Sequence, residues 1–144
     1  MCEDSRKSIS EADRKKHLSK IRSSLFWVGR MIPETEVIEG EKVNLRDAVY
    51  NYIASDSPTE EEIEGAMSLA MLLQCKVDDM EDQMRHDDIT MKEADELLDR
   101  ILGLKRAIDE LKRRSGPASE MRLQMMMHKV DDQRRWLDFI RSVR

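Results

Sequence analysis

The most regular alternation of apolar and polar positions occupies the middle of the chain. In two stretches, about 58–86 and about 90–114, apolar residues recur every three or four positions, which is the period of one helix face. A short polar segment, 86–88, separates them, and the second stretch opens on Thr90 with Glu93 three residues later, a capping-box pattern. The pattern predicts a long antiparallel helical hairpin. Its predicted apolar seams are Ile63, Met67, Ala70, Leu73, Val77, Met80 and Met84, then Ala94, Leu97, Ile101, Leu104, Ile108 and Leu111.

Shorter helices are predicted near 10–31, 45–55 and 118–142. Ser10 is the expected N-cap of the first helix, and Ser57 is the expected N-cap of the long hairpin, with Pro58 in the first turn. The apolar face predicted for the first helix consists of Leu18, Ile21, Leu25, Val28 and Ile32.

Residues 35–44 interrupt the helical pattern. Two short β-capable runs flank Glu39-Gly40-Glu41, so a small β-hairpin is predicted there, with Val37 and Val43 pointing inward. The fold class that follows is mainly α. We expect residues 1–144 to form a single helical domain, with 1–9 as a disordered tail.

Composition agrees with this fold class and also indicates where in the cell the protein is expected. Charged residues make up 38% of the chain and aromatic residues 4%, a balance typical of long helices with broad charged faces. No run approaches the roughly 18 apolar residues that a membrane span requires. Two distant cysteines, Cys2 and Cys75, suggest reduced thiols rather than a disulfide framework. A cytoplasmic protein without membrane contact is therefore expected.

Charge divides the chain into three parts. The net charge is +4 in residues 1–30, −14 in residues 31–110 and +5 in residues 111–144. One interpretation is that the basic terminal helices pack against the acidic middle, and the other is that both ends build a basic surface for an acidic partner. Nucleic acid is one such partner. The candidate nucleic-acid-binding residues are Lys15, Lys16, Arg113, Arg114, Arg134 and Arg135.

Sequence motifs for catalysis and cofactor binding are absent. The glycines form neither a P-loop nor a dinucleotide-binding turn, and no Cys-x-x-Cys or His-Glu-x-x-His pattern exists. Three groups carry potential metal ligands, although core filling and solvated helix faces also account for them. They are Met121, Met125 and His128; Met67, Met71 and Cys75; and the acidic residues of 78–88, where Asp82 is spaced to pair with His86. We therefore predict no cofactor, no metal site and no catalytic residue.

The favoured function is a non-catalytic helical module that binds a protein partner or a second copy of itself. The candidate partner-binding residues are Met121, Met125, Met126 and Trp136, although a core position is also consistent with Trp136. The alternative is nucleic-acid binding through the basic terminal helices. An unrecognised enzyme or metal-binding protein is the third hypothesis.

Three segments carry a resemblance to known sequences. They are the hairpin run Glu36–Arg46, the start of the second long helix at Ile89–Ala94, and Ile101–Ile108. Over roughly residues 34–112 the chain resembles an uncharacterised archaeal protein family. The resemblance implies an archaeal, cytoplasmic source, and it implies no activity and no functional residue.

Overall fold

The computed structural model describes residues 8–116 and 135–142, and in these residues the chain is mainly helical. The elements described are α1 (Glu11–Arg22), α2 (Ser24–Trp27), β1 (Glu36–Ile38), β2 (Glu41–Val43), α3 (Leu45–Ala54), α4 (Glu60–His86), α5 (Met91–Ser115) and α6 (Arg135–Ser142). The predicted fold class, mainly α with one small antiparallel sheet, is confirmed.

α4 and α5 pack together as the predicted long helical hairpin. Their 27 and 25 residues correspond to lengths of about 40 Å at roughly 1.5 Å per residue. α5 starts at the predicted capping box, in which the Glu93 N–H donates to Thr90 Oγ1 over 3.1 Å and Glu93 Oε1 accepts from the Thr90 N–H. It ends at Gly116, whose φ of 91° lies in the left-handed region that favours glycine.

The start of α4 differs from the prediction by two residues. The N-cap is Thr59 rather than Ser57, and a capping box links Thr59 with Glu62 through two hydrogen bonds of 3.1 Å. Pro58 therefore precedes the helix instead of occupying its first turn. Both candidate caps are followed three residues later by a glutamate, and in the structure the reciprocal hydrogen bonds form between Thr59 and Glu62.

The core surrounds α5 on more than one side. Ile101, Leu102, Gly103 and Leu104 are consecutive and all buried, so no side of the helix is solvated there. α5 packs against α1, α2, α3 and α4, and α4 also packs against α6. The predicted seams are buried except for Ile63 and Leu97, which are partly buried. The helices thus bury more than the single seam of a coiled coil.

The β-hairpin is present, but one of its two predicted inward residues faces solvent. Glu36 pairs with Val43 and Ile38 with Glu41 across a two-residue turn, so Glu36, Ile38 and Val43 share the inner face. Val37 is half exposed because successive residues of a strand point to opposite faces. The buried Glu36 carboxylate accepts from Lys76 at 2.7 Å and Arg100 at 3.0 Å, which ties the hairpin to α4 and α5.

The first and last described residues pack onto the same core. Residues 8 and 9, which the sequence assigned to a disordered tail, pair with the α4–α5 connection: the Ile9 N–H donates to Ile89 O over 2.8 Å, and Ile9 is buried. In α6, Trp136, Leu137, Phe139 and Ile140 are buried. Tyr52 meets Phe139 edge-on at 5.2 Å. The helix predicted near 118–142 falls largely outside the residues described.

Candidate interaction surface

A break at Ser23 divides the predicted first helix. Ser23 has an extended backbone (φ −95°, ψ 122°), and its N–H donates to Lys20 O over 3.3 Å. Lys105 on α5 donates to Ile21 O over 2.7 Å, which satisfies one of the carbonyl groups that a helix end leaves unpaired. The prediction of one helix over residues 10–31 was therefore wrong. Residues after the break do not continue the buried face of α1.

The break leaves a group of apolar side chains in solvent. Leu25 is 88% exposed, Phe26 42%, Val28 47% and Met31 68%. We call these four residues the α2 apolar patch. Two of them, Leu25 and Val28, had been predicted to lie on the buried face of the first helix. The other large apolar residues exposed in the described segments, Val37 and Tyr50, lie singly on other elements.

The α2 apolar patch rests on a fixed base. Ile32 is buried and Trp27 packs partly against the core. A Cβ at Gly103 would lie 3.0 Å from Pro33 Cδ, so only the missing side chain lets the segment approach α5 this closely. Arg46 donates from Nε to Ile32 O over 2.7 Å. The segment that carries the patch is thus fixed by contacts with the core, whereas the four side chains of the patch face solvent.

Positive charge borders the patch. Lys20 Nζ lies 5.8 Å from the centroid of the Phe26 ring, within the range of a cation–π contact, and Lys16 is exposed one helical turn earlier. We call Lys16 and Lys20 the basic flank. Neither lysine has a carboxylate within 4.0 Å in the part of the chain that the structure describes. Arg30, at the other end of the patch, pairs with Asp99 at 2.7 Å.

The predicted nucleic-acid-binding residues do not share one environment. Lys15 and Lys16 are exposed on α1. Arg113 pairs with Asp109 at 2.5 Å, and Arg114 donates to the backbone carbonyl of Ser55. These two arginines therefore support the helix and the α3–α4 connection. Arg134 lies outside the described residues, and only the backbone of Arg135 is described.

The predicted Met-rich surface cannot be placed. Met121, Met125 and Met126 lie outside the described residues. Trp136 is 1% exposed, and its indole N–H has no acceptor among the residues described. Because a buried indole offers no area to a partner, we do not assign Trp136 to an interaction surface, and it occupies the alternative position, in the core.

Among the described residues, the acidic and sulfur-containing side chains considered as metal ligands do not come together at one site. Within residues 8–116 and 135–142, no three His, Cys, Asp or Glu side chains are arranged to hold a metal ion. Asp82 pairs with Arg85 at 3.4 Å rather than with His86. In the group at 67–75, Met67 is buried while Cys75 is exposed. The third group, with Met121, lies outside the described residues.

His17 is the one buried histidine among the described residues, and its contacts explain its position. Its Nδ1 lies 2.9 Å from the Asp13 carbonyl oxygen, and its Nε2 lies 2.8 Å from Asp95 Oδ1 on α5. A histidine–carboxylate pair is also part of many hydrolytic sites. Here the second nitrogen is engaged by the backbone of its own helix, so no nitrogen is left to activate a nucleophile. His17 joins α1 to α5.

An open cleft of about 430 Å³ lies between α3 and α6. Asn44, Asp47, Ala48 and Asn51 line it from one face of α3, and Ile140 lines it from α6. Ligand sites combine an apolar enclosure with a few convergent polar groups. This cleft is open to solvent, so we give it no role in catalysis.

The sequence contains a signal for the break that exposes the α2 apolar patch. Ser23 and Ser24 lie next to each other inside the predicted helix, and serine favours helix ends over helix interiors. The regular spacing of Leu18, Ile21 and Leu25 across the two serines concealed the break. A helix stop at Arg22 would have placed Leu25 and Val28 beyond the buried face.

Comparison with known proteins places the chain in a family. In the described part of the protein, no helix is both long enough and apolar enough to cross a membrane. No curated protein and no solved structure matches the chain. A family model matches residues 9–141, which confirms the resemblance seen over 34–112 and extends it to the outer helices, while the archaeal source stays a prediction. The chain belongs to a family of unknown function, DUF5788.

Proposed function

We propose that this protein is a non-catalytic helical module that binds a partner protein through the α2 apolar patch. The observation that carries the proposal is the clustering of Leu25, Phe26, Val28 and Met31 in solvent within seven residues of one another. Several large apolar side chains exposed close together on a soluble protein are typical of protein interaction sites. The proposal also includes a cytoplasmic location.

The energetics of the patch support docking. Burying a large apolar side chain completely contributes about 1.5–3 kcal/mol. Leu25 and Met31, at 88% and 68% exposure, retain most of that contribution for a complex. Association is opposed by the loss of rotational and translational freedom, and the rigid base at Ile32 and Gly103 keeps the additional cost of ordering the patch small.

The polar side chains in the described segments favour a scaffold over an enzyme. His17 on α1 bonds to Asp95 on α5, and Arg14 on α1 bonds to the Met84 carbonyl on α4. Glu36 on β1 pairs with Lys76 on α4 and Arg100 on α5. Such contacts hold elements together, and side chains engaged in this way are not free for general acid–base or nucleophilic chemistry.

Nucleic-acid binding is the second candidate, and one observation favours it. Lys15 and Lys16 are adjacent, exposed and free of ion pairs among the described residues. Against this, Arg113 and Arg114 are engaged within the protein. A site that depends on phosphate contacts needs several free cations, and its affinity falls steeply with salt.

The test is capture of bound molecules from the native cell extract by the tagged full-length chain. Leu25→Ser with Met31→Ser removes the two most exposed side chains of the patch, and Val37→Ser with Tyr50→Ser removes two half-exposed apolar side chains elsewhere. All four sites are exposed, so both variants should retain wild-type helix content by circular dichroism and change stability by no more than about 0.5 kcal/mol per substitution.

We expect specific proteins to be retained by the wild type and by the Val37/Tyr50 control after a high-salt wash. The Leu25/Met31 variant should lose them, with a fall in affinity of tenfold or more, about 1.4 kcal/mol. Equal retention by both variants would refute the proposal. Nucleic acid retained at low salt, and lost after Lys15→Glu with Lys16→Glu, would instead support the second candidate.

A further inference from the structure

We infer that the partner segment at the α2 apolar patch is an acidic amphipathic helix, whose apolar face covers the patch while its carboxylates meet the basic flank. This inference rests on the proposed function and adds the chemistry of the partner. Three observations support it: the charge around the patch, the state of the patch backbone, and the position of the lysines relative to Phe26.

The patch lies in a basic stretch of the chain, and a longer acidic stretch follows it. Residues 8–32 carry six basic and two acidic side chains, whereas residues 33–116 carry 11 basic and 22 acidic side chains. A docking segment rich in carboxylates is therefore attracted toward the α1–α2 region and repelled from most of the remaining described chain. Charge complementarity of this kind selects partners and raises association rates.

Four cations of this region form no ion pair among the described residues, Lys15, Lys16, Lys20 and Arg22, and one of them, Lys20, lies beside the patch. Arg14 is engaged by Glu11 and by the Met84 carbonyl, and Arg30 is engaged by Asp99. Lys16 and Lys20 are four residues apart on one flank of α1, and Lys20 reaches the Phe26 ring. A carboxylate on the rim of a helix docked over Phe26 would therefore meet free ammonium groups.

The backbone of the patch indicates a helix rather than an added strand. The N–H groups of Phe26, Val28 and Arg30 donate to Ser23, Ser24 and Trp27 carbonyl oxygens, each over 3.1 Å. A partner strand needs a row of unpaired backbone groups, and these groups are already paired. Recognition must then proceed through side chains, as it does when an amphipathic helix presents residues at i, i+3, i+4 and i+7.

The probes are two labelled helical peptides of about 18 residues, long enough to form several turns. Both carry the same leucine stripe, flanked by glutamate in one and by lysine in the other. Binding to the full-length chain is followed by fluorescence anisotropy at about 50 mM and about 500 mM salt, where the Debye length falls well below its low-salt value. The variants are Lys16→Glu with Lys20→Glu and, as a control, Lys42→Glu with Lys92→Glu, two exposed lysines on other elements.

We expect the glutamate peptide to bind the wild type and the control about tenfold more tightly than the lysine peptide at low salt. High salt should reduce that ratio, and Lys16→Glu with Lys20→Glu should invert it. Leu25→Ser should weaken both peptides, because they share the apolar contact.

Equal binding of the two peptides, or an unchanged ratio in the Lys16/Lys20 variant, would overturn the inference. If Leu25→Ser still abolished partner capture, the proposed function would stand without it. A second copy of this chain is the competing occupant, since α4 exposes Asp78, Asp79 and Asp82. A dimer detected by light scattering and lost in the Lys16/Lys20 variant would also overturn the inference.

Discussion

At Gly103, α5 packs closely against the segment that follows α2, at Met31 and Pro33. A side chain there would place its Cβ 3.0 Å from the carbonyl oxygen of Met31 and 3.0 Å from Pro33 Cδ. Glycine inside a helix costs about 1 kcal/mol relative to alanine, so its presence indicates a packing requirement. The sequence shows the glycine in the middle of a predicted helix, but it does not show which segment approaches it.

We predict that Gly103→Val lowers the free energy of unfolding by about 1–3 kcal/mol, because the added methyl groups must displace the backbone at Met31 and the Pro33 ring. Urea denaturation monitored by circular dichroism measures the change. Gly29→Ala is the matched control, since a Cβ at Gly29 meets nothing within 4 Å. Equal stability of Gly103→Val and wild type would show that the approach at Gly103 is not tight.

Helix starts are the features that the sequence predicts best at the scale of elements, and α4 shows where that prediction becomes ambiguous. Two cap residues compete in Ser57-Pro58-Thr59-Glu60, and each is followed three residues later by a glutamate. The structure chooses Thr59, whose hydroxyl accepts the Glu62 N–H over 3.1 Å. A difference of two residues changes which side chains begin the first turn but leaves the helix seam unchanged.

The two caps are distinguished by single alanine substitutions. Thr59→Ala should lower the free energy of unfolding by about 1 kcal/mol, because the first turn of α4 loses its hydroxyl acceptor. Ser57→Ala should change the free energy of unfolding by only a few tenths of about 1 kcal/mol, since Ser57 precedes the helix. Chemical denaturation of both variants provides the comparison, and a larger effect at Ser57 would contradict the Thr59 cap.

The β-hairpin shows a second kind of ambiguity at the scale of elements. The sequence predicts the two strands and the turn between them. Which residues lie on the inner face depends on the register of the strands, and because Glu36 pairs with Val43, Val37 faces solvent. A charged residue on the inner face contradicts a simple hydrophobic pattern. Glu36 is stable there because Lys76 and Arg100 come from two helices far away in the sequence.

One hydrophobic core joins the described elements at the scale of the whole molecule. It runs from Ile9 at one end of the described chain to Ile140 in α6. α6 reaches it through Phe139, which meets the Tyr52 ring edge-on. The single domain expected from the length of the chain stays a prediction, and a continuous core predicts that it unfolds in one cooperative step.

Phe139→Ala tests that cooperativity. Removing a buried aromatic ring should lower the free energy of unfolding by about 3 kcal/mol or more. The loss of stability should be equal whether unfolding is followed by the helical circular dichroism signal or by the fluorescence of Trp27. Both proteins being compared carry Trp136→Phe, so that Trp27 is the one tryptophan left. Tyr50→Ala, at a half-exposed position on α3, is the control and should have a small effect. Separate transitions for the two signals would mean that α6 and the α1–α2 region unfold independently.

The sequence by itself determined the helical class, the long hairpin and its second capping box, and the presence of a small antiparallel sheet. These features follow from local rules: the period of apolar positions, the cap residues and the turn glycine. The tertiary structure alone decided that Glu36 is buried and that Leu25 and Met31 remain in solvent. Their exposure depends on what other parts of the chain cover, and periodicity along one helix contains no information about that.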